Sequence, residues 1–368
     1  MKPFVAVLAA MTMSGVATAD DWQYAALTGV GTTSISSEPA QRRILVGTYE
    51  GYWFADLETG IWSNRTVPGS LGRQVWVVVG HPEHSDRVVT GRENAWFKGY
   101  IEVTDELATD GEVPYTSASG MFTGLARHPA EPDTMYACTW SDINFAEVVL
   151  SSDGGLTWGL LSGTLHYQMT DVAIASSGIV YVSGSALVTR STDGGATWEE
   201  AAVGLPPAYG IYTVSAHPTK EGPVLACNDL GLYRSDDSAV SWIQISDDSC
   251  RAIARGWPCG GDVDRSQIAI ATWDGRVLLS DDSGTTWLDL GGPQGPVDLA
   301  FSSTDSSLYV TTENSGVWWM RVCSQLFADG FESGDTSAWG TTPRRPQQKD
   351  VEKCGKTADG ATSLERQP

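Results

Sequence analysis

The chain contains none of the short signatures that announce common chemistries. It has no Gly-x-Ser-x-Gly elbow, no His-Glu-x-x-His pair and no phosphate-cradling glycine loop. Its six cysteines include no Cys-x-x-Cys, which argues against a structural zinc site or a dithiol redox motif. Histidine is scarce, at five residues. Three of them are His81-Pro82, His128-Pro129 and His217-Pro218, in the same phase of separate repeats, so no metal-binding histidine cluster is expected and no metal is assigned. His166 alone falls in a candidate functional loop. Basic residues are also few, 23 Lys and Arg against 45 Asp and Glu, for a net charge of −22. The segment 341–368 is slightly positive, with six basic residues against four acidic ones, so the rest is more acidic still. Such a surface repels phosphate backbones, and nucleic acid is excluded as a partner. No cofactor is implied. Beyond the N-terminus no apolar run approaches the length needed to cross a bilayer, so no transmembrane segment is expected.

What is present begins with Met1-Lys2-Pro3, the apolar run 4–13 and the small-residue ending Ala17-Thr18-Ala19. That pattern reads as a secretory signal over 1–19, cleaved after Ala19, and predicts an exported protein, periplasmic or extracellular, acting as a monomer. Export permits disulfides, and six cysteines allow fifteen full pairings. Cys138 and Cys227 sit two repeats apart and are not expected to pair with each other.

The strongest signal is an eight-residue box repeated four times. It reads Ser151-Ser-Asp-Gly-Gly-Leu-Thr-Trp158, Ser191-Thr-Asp-Gly-Gly-Ala-Thr-Trp198, Ser235-Asp-Asp-Ser-Ala-Val-Ser-Trp242 and Ser280-Asp-Asp-Ser-Gly-Thr-Thr-Trp287. The aspartates Asp153, Asp193, Asp237 and Asp282 lie 40, 44 and 45 residues apart, a period that means β-sheet units stacked around an axis. The box is a tight turn: Asp accepts backbone N–H bonds, Gly supplies a positive φ, and Trp starts the next strand with a large apolar body. The pattern Ser/Thr-x-Asp-x-Gly-x-Thr-Trp resembles the Asp-box, or BNR, repeat of sialidase-like propellers. That resemblance implies a structural role, remote from the active face, for the four aspartates and for Trp158, Trp198, Trp242 and Trp287. Ala239 and Ser241 depart from it, and the turn at Ser235 is expected to be less regular.

Counting outward from the boxes gives seven repeats. First strands recur at 75–80, 122–127, 170–175, 212–216, 251–255 and 297–301. Seven second-and-third-strand pairs run from 44–46 with 52–56 to 308–311 with 317–320. Outer strands are marked by Trp62, Tyr115, Trp158, Trp198, Trp242 and Trp287, one short of seven. The stretch 22–27, Trp-Gln-Tyr-Ala-Ala-Leu, has the look of the missing strand. The expected fold is therefore all-β, a seven-bladed β-propeller over 20–322 closed by an N-terminal strand that completes the last blade. Residues 323–340 resemble a short carboxy-terminal motif appended to exported bacterial proteins. The tail 341–368 is polar and aperiodic, with the composition of a disordered segment.

Propellers take ligands where loops converge on the axis, and here six of the seven second-to-third loops carry a carboxylate and three a Trp. The ligand-binding candidates are Arg92, Trp96, Trp140, Asp142, Asn144, Trp273 and Asp274, with Glu93 and Asp142 the weak catalytic ones. Glycoside hydrolysis needs two carboxyls roughly 5–9.5 Å apart. Ordinary turn chemistry explains many of the same residues, Asp274-Gly275 among them. The sialidase resemblance stops at the active site: Arg42-Arg43-Ile44-Leu45 lacks the proline of the Arg-Ile-Pro motif, and arginines near the axis are few. The chain is too short for a two-propeller xyloglucanase. Its repeats also resemble the single propellers of photosystem assembly factors and sortilin-type receptors, which implies a non-catalytic scaffold gripping a protein or peptide. The expected function is such a scaffold with a protein, peptide or glycan on its loop face. A carbohydrate-active protein, hydrolytic or lectin-like, is the alternative.

Overall fold

The computed structural model describes residues 22–322 apart from 66–73, 94–97, 105–111, 119, 142–145, 162–167, 186, 207–209, 218–222 and 257–266. The expected signal segment 1–19 and the segments 323–340 and 341–368 lie outside the described residues.

Seven four-stranded antiparallel sheets make the seven blades of a β-propeller. The innermost strands are Thr32–Glu38, Gln74–Gly80, Met121–Arg127, Met169–Ile174, Thr213–Ser215, Cys250–Gly256 and Pro296–Ser302, numbered here as blades 1 to 7. Blade 7 is completed by Gln23–Ala26, which pairs antiparallel with Val317–Arg321, Gln23 lying opposite Trp319 and Tyr24 opposite Trp318. The ring thus closes as the repeat count predicts. The innermost strand of blade 1, Thr-Thr-Ser-Ile-Ser-Ser-Glu, has no counterpart in the sequence reading. Ile35 is its one large apolar residue, so hydrophobic alternation gives it no signature.

The core lies between blades as much as within them. Cys138 and Val148 of blade 3 pack with Met169, Val172 and Val180 of blade 4. Trp22 packs with Leu279 and Leu290 of blade 6 and Leu299, Val310 and Met320 of blade 7. Its indole N–H donates to the Leu290 carbonyl at 3.0 Å. The sulfurs of Cys227 in blade 5 and Cys250 in blade 6 are joined, with Cα atoms 5.6 Å apart. Cys138 is a free, buried thiol.

The four boxes fold alike. In the first, Ser151 Oγ donates to Asp153 Oδ1 at 2.8 Å and accepts the Gly155 N–H at 2.9 Å. Asp153 in turn accepts the Thr157 N–H at 2.9 Å and its hydroxyl at 2.6 Å. The turn at Ser235 makes the same set, with Ala239 N–H on Ser235 Oγ at 2.8 Å and Ser241 N–H and hydroxyl on Asp237 at 2.8 and 2.6 Å. The expected irregularity is absent there; the substitutions act instead on backbone dihedrals, Ser238 and Ala239 standing at φ 57° and 68°. The tryptophans differ, Trp287 Nε1 being buried with no hydrogen-bond partner among the described residues. Trp158 and Trp198 donate to their own turns, whereas Trp242 reaches the Ala201 carbonyl of the preceding blade at 2.7 Å.

The histidines of the His-Pro pairs are buried, and His81 and His128 cap turns. His81 Nδ1 accepts the N–H groups of Glu83 and His84, and His128 Nδ1 those of Ala130 and Glu131.

Candidate functional site

The site is built from a bulge repeated around the axis. Six of the seven innermost strands slip register near their first residues, placing Thr33, Trp76, Thr123, Thr170, Arg251 and Val297 opposite no partner. An extra residue in one strand breaks the alternation of faces and re-aims its side chain. In blade 5, Tyr212 holds the same place, directly before the strand. These seven residues line a cavity of about 620 Å³ at the axial mouth, together with Thr32 and the loop residues Tyr49, Trp273, Glu313 and Asn314. Since second-to-third loops reach this mouth, the third strands carry the chain away from it, and the box turns stand on the opposite face.

Two rungs of hydrogen bonds stitch the blades beneath the mouth. The bulge hydroxyl of one blade donates to the carbonyl before the next bulge: Thr33 to Val75, Thr123 to Met169 and Thr170 to Ile211. One residue on, Asp171 accepts the Thr213 hydroxyl at 2.6 Å and the Val214 N–H at 3.2 Å of blade 5. Asp298 accepts the Ile35 N–H at 2.9 Å, tying blade 7 to blade 1. Both aspartates are half-buried between blades, and desolvation outweighs these bonds, raising Asp171 to about 6 and Asp298 to about 7.

The walls are aromatic, and carboxylates hold them. The Trp76 indole donates to Glu93 Oε2 at 2.8 Å. The Tyr212 hydroxyl donates to Asp229 at 2.6 Å, and burial first, then this bond, pushes the phenol up to about 12. Arg251 pairs with Glu313 at 2.8 Å while its guanidinium lies 4.6 Å from the Trp273 ring centroid. Tyr212 meets Trp273 edge-on at 5.6 Å.

The candidates from sequence divide accordingly. Trp273 lines the cavity and is 49% exposed. Glu93 sits behind Trp76 as its clamp. Asp274 belongs to its own turn: it accepts the Thr272 hydroxyl at 2.5 Å and Arg276 Nε at 2.9 Å, and that first bond leads in holding it below the usual carboxylate range. Trp140 is half-buried at a strand end bridged to Gln168 and does not line the cavity. Arg92 requires correction as a ligand-binding residue. The strand Val88–Glu93 runs through it, and its side chain is 1% exposed in an ion pair with Glu102 at 2.5 Å. Trp96, Asp142 and Asn144 lie outside the described residues. Missed in the sequence were Thr33, Trp76, Thr123 and Thr170. Their signal is faint, a bulge residue inside an apolar strand such as Val75-Trp76-Val77.

Two chemistries can be weighed. Among the described residues lining the cavity, Glu313 is the carboxylate, and it is neutralised by Arg251. The carboxyls poised near neutrality, Asp171 and Asp298, hold their oxygens on backbone and threonine donors, and neither lines the cavity. Among the described residues metal ligation has one candidate group, His81, His84 and Asp133, whose ligand atoms lie within 4.8 Å of one another. His81 Nδ1 caps its turn and Nε2 is hydrogen-bonded to Asp133 at 3.1 Å, so neither nitrogen presents a vacant lone pair.

No family model matches the chain. It is 27% identical over 310 residues to a xyloglucanase of Hypocrea jecorina (strain QM6a), an alignment covering 78% of this chain and 35% of that protein. The chain thus spans about a third of that relative's length. Among solved structures it superposes on the RRP9 WD40 repeats with a TM-score of 0.60, and on U3-55K with 0.61. Both share 12% identity and cover 83% of this chain and 99% of theirs, a likeness of fold alone.

Proposed function

We propose that this protein is an exported, non-catalytic propeller that binds a glycan at its axial mouth. The observation that carries the reading is the employment of the mouth carboxylates. Glu93, Asp229 and Glu313 each hold a wall residue in place, which makes them positioning groups in a preformed binding surface rather than an acid and a nucleophile. A rigid aromatic wall above a floor of threonine oxygens suits sugar rings, which offer apolar faces and polar rims. The xyloglucanase relative supports a carbohydrate as the ligand class. The four turns are read as Asp-boxes of the sialidase-like superfamily, serving the fold from the far face. Export rests on the N-terminal pattern alone.

The test uses the purified chain on a panel of polysaccharides, with binding and reducing-sugar release measured side by side. Binding without release is the expected result. Release abolished by Glu93→Gln would instead assign a hydrolase, the reading that the xyloglucanase relative favours.

A further inference from the structure

Resting on the glycan-binding reading, we propose that the ligand is a neutral polysaccharide chain lying along blades 6, 7 and 1, with pyranose rings stacked on Trp273 and Tyr49 and the Glu313-Asn314 tip between them. Trp273 and Tyr49 both line the cavity, and both are 49% exposed, where most aromatic residues of the propeller are buried or half-buried. They flank the tip of blade 7, one from each neighbouring blade. Each is braced from behind. Arg251 and Tyr212 fix Trp273. Tyr49 lies on Gly31, where any Cβ would collide with its ring, and that same Cβ position is 3.4 Å from the Glu313 carbonyl oxygen. Pinned rings lose little conformational freedom when a ligand stacks on them.

Between the two platforms, Glu313 and Asn314 are exposed. The amide of Asn314 offers both donors and an acceptor, and the Glu313 carboxylate offers acceptors, a set matched to neighbouring hydroxyls. The charge of Arg251 is offset by Glu313 at 2.8 Å and that of Asp274 by Arg276 at 2.9 Å, while Glu50 and Asp229 leave the rim acidic on a chain of net charge −22. Such a rim repels uronates and sulfated sugars and admits an uncharged chain.

Calorimetry on the full chain tests this with xyloglucan oligosaccharides as the neutral probe and oligogalacturonate as the anionic one. Trp273→Ala and Tyr49→Ala should each weaken xyloglucan-oligosaccharide binding roughly tenfold or more, Trp273→Phe should recover part of the loss, and oligogalacturonate should not bind. Ile243→Ala, at an exposed outer-strand position, should bind as the wild type does. Full affinity in both alanine variants would place the glycan elsewhere and overturn the arc while leaving the glycan-binding reading intact. Tighter binding of oligogalacturonate would overturn the neutral ligand. Failure of the wild type to bind any glycan would remove the underlying reading itself.

Discussion

At the scale of single residues, carboxyls of one type are pushed in opposite directions by position. In the exposed boxes, hydroxyl and backbone donors hold the charged form: the Thr197 hydroxyl leads for Asp193 and the Ser241 hydroxyl for Asp237, and both stand at about 2. Between blades, burial holds Asp171 at about 6 and Asp298 at about 7. An unfolded Asp titrates near 3.9, so the signs differ. The box aspartates stabilise the fold above about 4 and lose that contribution as pH falls toward 2. Asp171 and Asp298 favour the fold most below about 4, and that contribution is lost as pH rises through about 7. The melting temperature should therefore rise from pH 2 to 4 and decline from pH 4 to 7, as circular dichroism can follow. Asp298→Asn removes the titrating group, losing one of the two N–H bonds its oxygens accept from Ile35 and Leu299, and should flatten the neutral limb; an unchanged slope would mean Asp298 is already ionised. Arg255 supplies a second case. Nε, Nη1 and Nη2 are buried, and among the described residues nothing accepts from them, whereas Arg127 at the same place in blade 3 pairs with Glu38 at 3.1 Å. Removing an unsatisfied buried guanidinium removes its desolvation penalty, so Arg255→Met should raise stability by at least about 1 kcal/mol in urea unfolding. A lower midpoint would show that the guanidinium has a partner.

At the scale of elements, the box turn shows what a departure from pattern costs. The two positions that are Gly154-Gly155 and Gly194-Gly195 in the regular boxes become Ser238-Ala239 and Ser283-Gly284, and all keep φ between 57° and 94°. The hydrogen bonds survive, so the penalty is left-handed backbone strain on a side-chain-bearing residue, about 1 kcal/mol each. Ser238→Gly and Ser283→Gly should accordingly each raise the melting temperature by about 2 °C, additively since they occupy different blades. Ala239→Gly should gain less, because Ala239 is fully buried in the core between blades 4 and 5. The turns were legible because a turn is local: Ser, Asp, Gly, Thr and Trp interact within eight residues. The mouth was not. Its clamps join residues 17 apart in Trp76–Glu93 and Tyr212–Asp229 and 62 apart in Arg251–Glu313, and none has a local pattern. Arg92 misled for a related reason. Arg-Glu-Asn-Ala-Trp reads as a polar loop, yet the strand continues to Glu93 because Glu102 on the adjacent strand neutralises the arginine inside the sheet.

At the scale of the molecule, blade number and closure were readable because each blade repeats one apolar rhythm and the count of outer strands came up one short. What that absence implied is also what holds the ring together. Blade 7 takes its fourth strand from the other end of the chain, so separating blades 7 and 1 would also require Gln23–Ala26 to leave Val317–Arg321. Three further contacts guard the same seam: the Asp298 bond to Ile35, the Thr32 hydroxyl on the Thr312 carbonyl at 2.7 Å, and Tyr309 and Ala300 packing with Ile35 and Val46. Trp22 anchors the closing strand, 5% exposed and bonded to Leu290. Trp22→Ala should destabilise the propeller by about 3–5 kcal/mol, the range for truncating a buried aromatic. Deleting residues 22–27 should do more than that, because it bares the backbone edge of Val317–Arg321, and exposed edges pair with other chains. The deleted protein should then elute from size exclusion as oligomers that grow with concentration, while Trp22→Ala remains the same size as the wild type. If both variants kept the wild-type size and melting temperature, the seam would be held by the inter-blade bonds alone. The closing strand would then be an accessory of the ring rather than its clasp.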